Sequence, residues 1–209
     1  MEAKRGDYKV VNPNDHVNMA QSTNDVIPTA DSLSRAANYA KSFIRYLSVC
    51  KKHFADKAQE FDGIIKSGRT HLQDAVPIRL GQEFAAYAVS VGKHHERLRQ
   101  AAAEELKELG IGGTAAGSGL NAHAQYREEM AKQLSEQTGL KLAPTKNTFE
   151  TMQSMAPFVG VSAALRNLAL DMTRIANDLR LLASGPRTGL AEIELPAVQP
   201  GSSIMPGQG

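Results

Sequence analysis

The side chains of this sequence that could do chemistry gather in short polar stretches. Gln21 to Asp25 carries Ser22, Thr23 and Asn24; Gly68 to Asp74 carries Thr70 and His71; Gly201 to Gly209 carries Ser202 and Ser203. A further stretch, Gly110 to Gly119, is dominated by glycine and alanine. Together Ser22, Thr23, Asn24, Thr70, His71, Ser202 and Ser203 offer hydroxyls, one amide and one imidazole, which are donors for carboxylate oxygens plus one acid–base group. Gly201-Ser202-Ser203, set between Pro200 and Pro206-Gly207, reads as a loop where backbone N–H groups and a serine oxygen meet a small anion. Plainer readings exist for each. Ser22, Thr23 or Asn24 can N-cap a helix, and His71 can be an ordinary loop histidine.

Other chemistries fail on spacing. His94 and His95 are adjacent rather than an i,i+4 pair, so they do not make a zinc motif. Gly110-x-Gly112-x-x-Ala115 has the letters of a dinucleotide fingerprint. It follows Glu104-Glu105-Leu106-Lys107-Glu108, a charged helical run, where that fingerprint requires a buried strand. No Gly-Lys-Ser or Gly-Lys-Thr occurs, so a P-loop is absent.

The elements that must position these residues read as helices. Phe43, Leu47, Cys50, Phe54, Ala58 and Phe61 form one stripe, in a helical region that Gly68 closes. Pro28 fits a first turn or a boundary. Gly68 to Asp74 reads as a polar link. A second helix carries Leu80, Phe84, Tyr87, Val91, Leu98 and Ala102, with His94 as a core histidine in its seam, and Gly110 stops it. A shorter helix spans roughly Ala124 to Thr138 and closes at Gly139. The last is the clearest: Val161, Leu165, Leu168, Met172, Ile175, Leu179 and Leu182 alternate steps of four and three, a heptad seam that predicts near-parallel packing. Arg174 and Asp178 are an i,i+4 pair on its outer side, Gly185-Pro186 ends it, and Arg187 to Gln199 reads as extended. The expected fold is all-α, a bundle of long near-parallel helices. Residues 1–25 form a motif-bearing N-terminal segment, 26–200 the helical domain and 201–209 the Gly-Ser-Ser loop. These helices leave apolar stripes that partner chains must cover.

Composition narrows the class further. The formal charge is only +2 over 209 residues, which argues against nucleic acid as a partner. A single cysteine, Cys50, excludes an internal disulfide framework and suits a cytoplasmic setting. Met1 to Asp7 has no apolar character and no run of about 18 apolar residues occurs, so neither a secretory signal nor a membrane span is expected.

Read together, the polar stretches resemble the fumarase/aspartase superfamily over essentially the whole chain. Asn12-Pro13-Asn14-Asp15 and Gln21-Ser22-Thr23-Asn24-Asp25 are similar to two of its substrate-side motifs, and Gly68-Arg69-Thr70-His71 to its Thr-His motif. Gly113-Thr114-Ala115 through Asn121 is similar to its central glycine-rich segment. Ile175 to Arg180 and Ser184 to Arg187 then lead to Gly201-Ser202-Ser203-Ile204-Met205-Pro206, which resembles its signature. The resemblance implies a lyase that yields fumarate without a cofactor or metal, assembled as a homotetramer whose sites draw on three subunits. By position, Ser202 is the base that removes a Cβ proton and Ser203 holds a substrate carboxylate. Thr70 and His71, with Ser22, Thr23 and Asn24, bind the carboxylates and stabilise the intermediate. Asn14 and Asp15 match a second, non-catalytic anion site.

Thr23, where fumarases tend to have a second serine, and the runs His71 to Pro77 and Leu179 to Leu182 favour an aspartate ammonia-lyase over a fumarate hydratase. The substrate is then a small dicarboxylate: aspartate, fumarate or malate. The family pattern also includes a segment ahead of Met1, a lysine where Gln208 stands, and a later helix and C-terminal domain. Loss of a cation beside the base serine typically costs on the order of 10²–10³-fold in rate. The expectation is therefore that this polypeptide alone is inactive or nearly so, either as the central part of a lyase or as a non-catalytic oligomerising helical fragment.

Overall fold

A computed structural model describes residues 4–38 and 42–197. They divide between two compact units, Met1–Asn167 and Leu168–Gly209. The first unit holds α1 (Thr23–Asn38), α2 (Ile44–Glu60), β1 (Ile65–Thr70), β2 (Gln73–Arg79), α3 (Leu80–Glu105), β3 (Glu108–Leu109), α4 (Tyr126–Thr138), β4 (Ala143–Pro144) and α5 (Thr148–Gln153); α6 (Ala156–Leu182) contributes to both. The architecture is helix-rich, as expected, with two small two-stranded sheets that helical periodicity does not reveal.

The predicted seams do the packing. On α3, Leu80, Phe84, Tyr87, Val91, Leu98 and Ala102 are all buried, and His94 is buried among them. Phe84 sits at the centre of an aromatic cluster, its ring centroid 5.0 Å from Phe61, 5.7 Å from Tyr87 and 6.4 Å from Phe54, which joins α2 to α3. Such tilted and edge-on contacts add about 0.5–1.5 kcal/mol per pair beyond area burial. The start of α3 is locked to the end of α2: Leu80 N donates to Ile64 O, Gly81 N to Phe61 O, and Arg79 Nη1 lies 2.8 Å from Asp62 Oδ2. A Cβ on Gly81 would lie 2.3 Å from the Ala58 carbonyl oxygen, so only glycine permits this approach.

On α6 every second seam residue is fully buried: Val161, Leu168, Ile175 and Leu182, while Leu165, Met172 and Leu179 are half-buried. In the first unit Val161 packs with Leu106 and its neighbours Ala101, Leu140 and Phe158. Arg174 pairs with Asp178 at 3.0 Å, as its spacing predicts, and with Asp171 at 2.8 Å. Val159, Leu170 and Leu181 remain exposed.

Four local expectations need correction. The Gly68–Asp74 link is not a loop: it belongs to the β1–β2 hairpin, because α2 already stops at Glu60. Pro28 lies inside α1, beyond its first turn, where it deprives the Asn24 carbonyl of its helical donor. The short helix starts at Tyr126 rather than Ala124. After α6 the chain folds back, with Ala191 N donating to Ser184 O and Glu192 N to Leu182 O, so the stretch from Arg187 is not extended at its start.

Candidate functional site

Site construction begins at the first turn of α1. Ser22 precedes the helix and caps it: its Oγ accepts from Asn24 N at 3.2 Å, while Asp25 Oδ1 accepts from Ser22 N at 2.9 Å. This is a reciprocal capping box, so the plain reading of Ser22 holds. A hydroxyl that accepts keeps its own O–H to donate. Thr23 and Asn24 are exposed on the turn that follows.

Asp25 ties this turn to the glycine-rich stretch. Its side chain is wholly buried, at 0% exposure. Oδ2 accepts from Gly112 N and from Thr114 N, each at 2.9 Å. Next to it, Asn24 Nδ2 donates to Ala115 O at 2.8 Å. Gly112 has φ +85°, and a Cβ there would come within 2.4 Å of Arg127 Cγ, so glycine is required twice over. Gly117 N and Gly119 N both donate to Gly113 O, and the Thr148 hydroxyl donates to the Gly117 carbonyl. The amides of Gly112, Gly113, Thr114, Gly117 and Gly119 are thus engaged within the protein rather than turned toward a phosphate. A short strand, Glu108–Leu109, does precede the loop and pairs in parallel with Ala143–Pro144. That corrects the premise used against a dinucleotide site, while the engaged Gly112, Gly113 and Thr114 amides argue against it on better grounds.

Between α1 and the loop lies an open cleft of about 540 Å³ lined by Thr23, Asn24, Ile27, Pro28, Ala115 and Ala116, among others. Thr23, Asn24 and Gln153 give it polar groups beside the apolar Ile27, Pro28, Phe149 and Met152. Nearby, burial pushes the Tyr126 phenol above its ordinary range, and the negative charge of Asp25 raises it further.

Thr70 and His71 sit at the tip of the hairpin. Thr70 pairs with Gln73, leaving His71 and Leu72 as a two-residue turn with φ of 50° and 59°. Both central residues left-handed is the type I′ pattern that normally takes Asn-Gly. Each bulky residue there costs roughly 1–2 kcal/mol, and such strain concentrates at functional sites. The tip is held from below: Ser67 Oγ donates to Asp74 Oδ1 at 2.9 Å, Arg69 Nε lies 3.5 Å from the same oxygen, and Lys66 Nζ lies 2.8 Å from Glu83 Oε2. Thr70 and His71 are consequently exposed together, while Thr23 and Asn24 line the cleft and Ser22 caps the helix just ahead of them; the hydrogen bonds of these residues join neither group to the other.

Asn14 and Asp15 lie in a single π-turn, Pro13–Val17, with exposed side chains. Their amides donate to Asn12 Oδ1 at 2.8 and 3.2 Å, and Asn12 N donates to His16 Nδ1 at 2.9 Å. Ser202 and Ser203 lie outside the described residues. Among the described residues no group of His, Cys, Asp and Glu is placed to hold a metal ion. No helix among them is long and apolar enough to cross a membrane. Sequence reasoning missed Asp25 as a structural partner of the glycine loop. The Ser22-x-x-Asp25 spacing signals the cap, but nothing local signals the loop.

Long seam-bearing helices with polar helix ends set against a glycine loop define a helical core of the fumarase kind. A crystal structure of class II fumarase from Schistosoma mansoni superposes with a TM-score of 0.89 at 36% identity, covering 94% of this chain and 44% of that one. The chain belongs to the lyase family, whose profile, described as Lyase, matches residues 2–208. It is 49% identical over 208 residues to the aspartate ammonia-lyase of Bacillus subtilis, covering 100% of this chain and 43% of that protein. It is also 49% identical over 205 residues to the class II fumarate hydratase of Ralstonia nicotianae, covering 98% and 44%. The chain therefore spans less than half the length of these relatives.

Proposed function

We propose that this chain supplies the dicarboxylate-binding core of an aspartate ammonia-lyase, which eliminates ammonia from L-aspartate reversibly to give fumarate. The observation that carries the reading is the cleft where exposed Thr23 and Asn24 face the Ala115–Ala116 segment, in a chain of the lyase family. Removing a proton next to a carboxylate builds a dianionic aci-carboxylate, which needs converging donors. Ser22, Thr23, Asn24, Thr70 and Ser203 are donors of that type, and His71 adds an imidazole that stabilises the intermediate. Ser202 is the base that takes the Cβ proton; a serine serves as a base only where N–H groups or positive charge stabilise its alkoxide. Asn14 and Asp15 form a second anion site.

Aspartate is preferred over malate because Thr23 occupies a position where fumarases tend to carry serine. Identity to the two kinds of relative is equal, so the leaving group must be separated by experiment. The activity is assigned to the whole protein, as a homotetramer. Exposed Tyr46 and Val49 on α2, with Leu170 and Leu181 on α6, are apolar side chains that an assembly of copies would cover.

Purified full-length protein should form fumarate, read by its enoate absorbance, faster from aspartate than from malate. Malate turnover alone would replace this reading with a fumarate hydratase. Turnover of neither would end it.

A further inference from the structure

Two of the segments that line the cleft, the first turn of α1 and the glycine loop, are tied together by one carboxylate. Asp25 follows directly on Asn24, and its acceptors reach Gly112 and Thr114, directly ahead of Ala115. Its hydrogen-bond partners are backbone N–H groups only: Ser22 on one oxygen, Gly112 and Thr114 on the other. Three converging donors call for a side chain that is acceptor only and of this length. Asparagine turns one oxygen into an N–H donor, which must then face either Ser22 N or the Gly112 and Thr114 amides, leaving a buried donor unsatisfied. Glutamate is one methylene longer in a site with no exposure.

The geometry points to Asp25 as a positioning residue: its buried carboxylate sets the spacing between the first turn of α1 and the Gly112–Ala115 loop, and with it the affinity of the intervening cleft for a dicarboxylate. The Asn24–Ala115 hydrogen bond at 2.8 Å is a second strut whose length this spacing fixes. The affinity part rests on the proposed carboxylate-binding role of Thr23 and Asn24; the spacing part does not.

The experiment compares the 209-residue chain with its Asp25→Asn and Thr29→Val variants. Thr29 is buried on the same helix, and its hydroxyl donates to the Asp25 carbonyl at 2.7 Å without touching the carboxylate. It therefore controls for general loss of stability in α1. Hydrogen exchange followed by mass spectrometry should show faster exchange of residues 110–116 in Asp25→Asn than in Thr29→Val. Succinate, a dicarboxylate without a leaving group, should bind Asp25→Asn at least about tenfold more weakly than wild type, because the cleft is no longer preorganised around it. Thr29→Val should bind it as wild type does.

Exchange of residues 110–116 that matches Thr29→Val would overturn the spacing role. Equal succinate affinity in wild type and Asp25→Asn would overturn the affinity role. Failure of wild type to bind succinate would overturn the carboxylate-binding role of Thr23 and Asn24 in this chain, leaving turnover by the full-length protein to decide the proposed function and the exchange result to decide the spacing. Should Asp25→Asn not fold, wild-type NMR decides: Gly112 and Thr114 amides that exchange as fast as open-loop amides overturn the latch.

Discussion

The α2–hairpin–α3 region and the α1–glycine-loop region both deliver exposed polar residues, but they are held by different forces. In the first, Phe54, Phe61, Phe84 and Tyr87 interlock and the helix ends lock backbone to backbone. The hairpin tip can then carry two strained residues, since the base beneath it is overdetermined. In the second, a single buried carboxylate and one amide bridge the walls. An apolar core tolerates small changes in shape with partial relaxation, whereas a polar latch works only if every donor is met.

Phe84→Ala tests the first region and carries the largest expected effect. Truncating a buried aromatic costs about 3–5 kcal/mol, read as a lower midpoint in urea. The Asp25 contacts should keep their protection from exchange in whatever fraction stays folded; simultaneous loss of both at low urea would show that the regions do not differ as argued. Gly112→Ala tests the second. A left-handed φ and a clash with Arg127 Cγ together cost about 1–3 kcal/mol, and exchange should accelerate around 110–116 but not in α3. A uniform loss across the chain would blur the contrast. Leu72→Gly carries the smallest effect and the opposite sign. Removing a Cβ from φ 59° relieves more than the added chain entropy costs, so stability should rise by about 0.5 kcal/mol. A lower melting temperature would mean the turn is not strained.

The helices were legible because burial follows periodicity: each α3 seam residue, and alternate seam residues on α6, are buried where their spacing placed them. The hairpin was not. Its strands are short, Pro77 and Gly68 sit within them, and Ile65 and Val76 are exposed, so no alternation of buried and exposed residues marks it. Ser22, Thr23 and Asn24 could be placed at a helix start by their types alone. The partner of Asp25 could not, because Gly112 lies 87 residues further along and the contact is made to a backbone amide that every residue type but proline would offer.

That separation also sets an order of assembly. The α2, hairpin and α3 contacts join consecutive segments, so closing them costs little chain entropy and they can form early. The Asp25 bonds close a loop of 87 residues and become favourable only once the intervening helices have docked. Folding kinetics should therefore slow when Phe84 is truncated, whereas changes at Asp25 should act mainly by speeding unfolding. The cleft is the last part of the first unit to be built and the first to be lost.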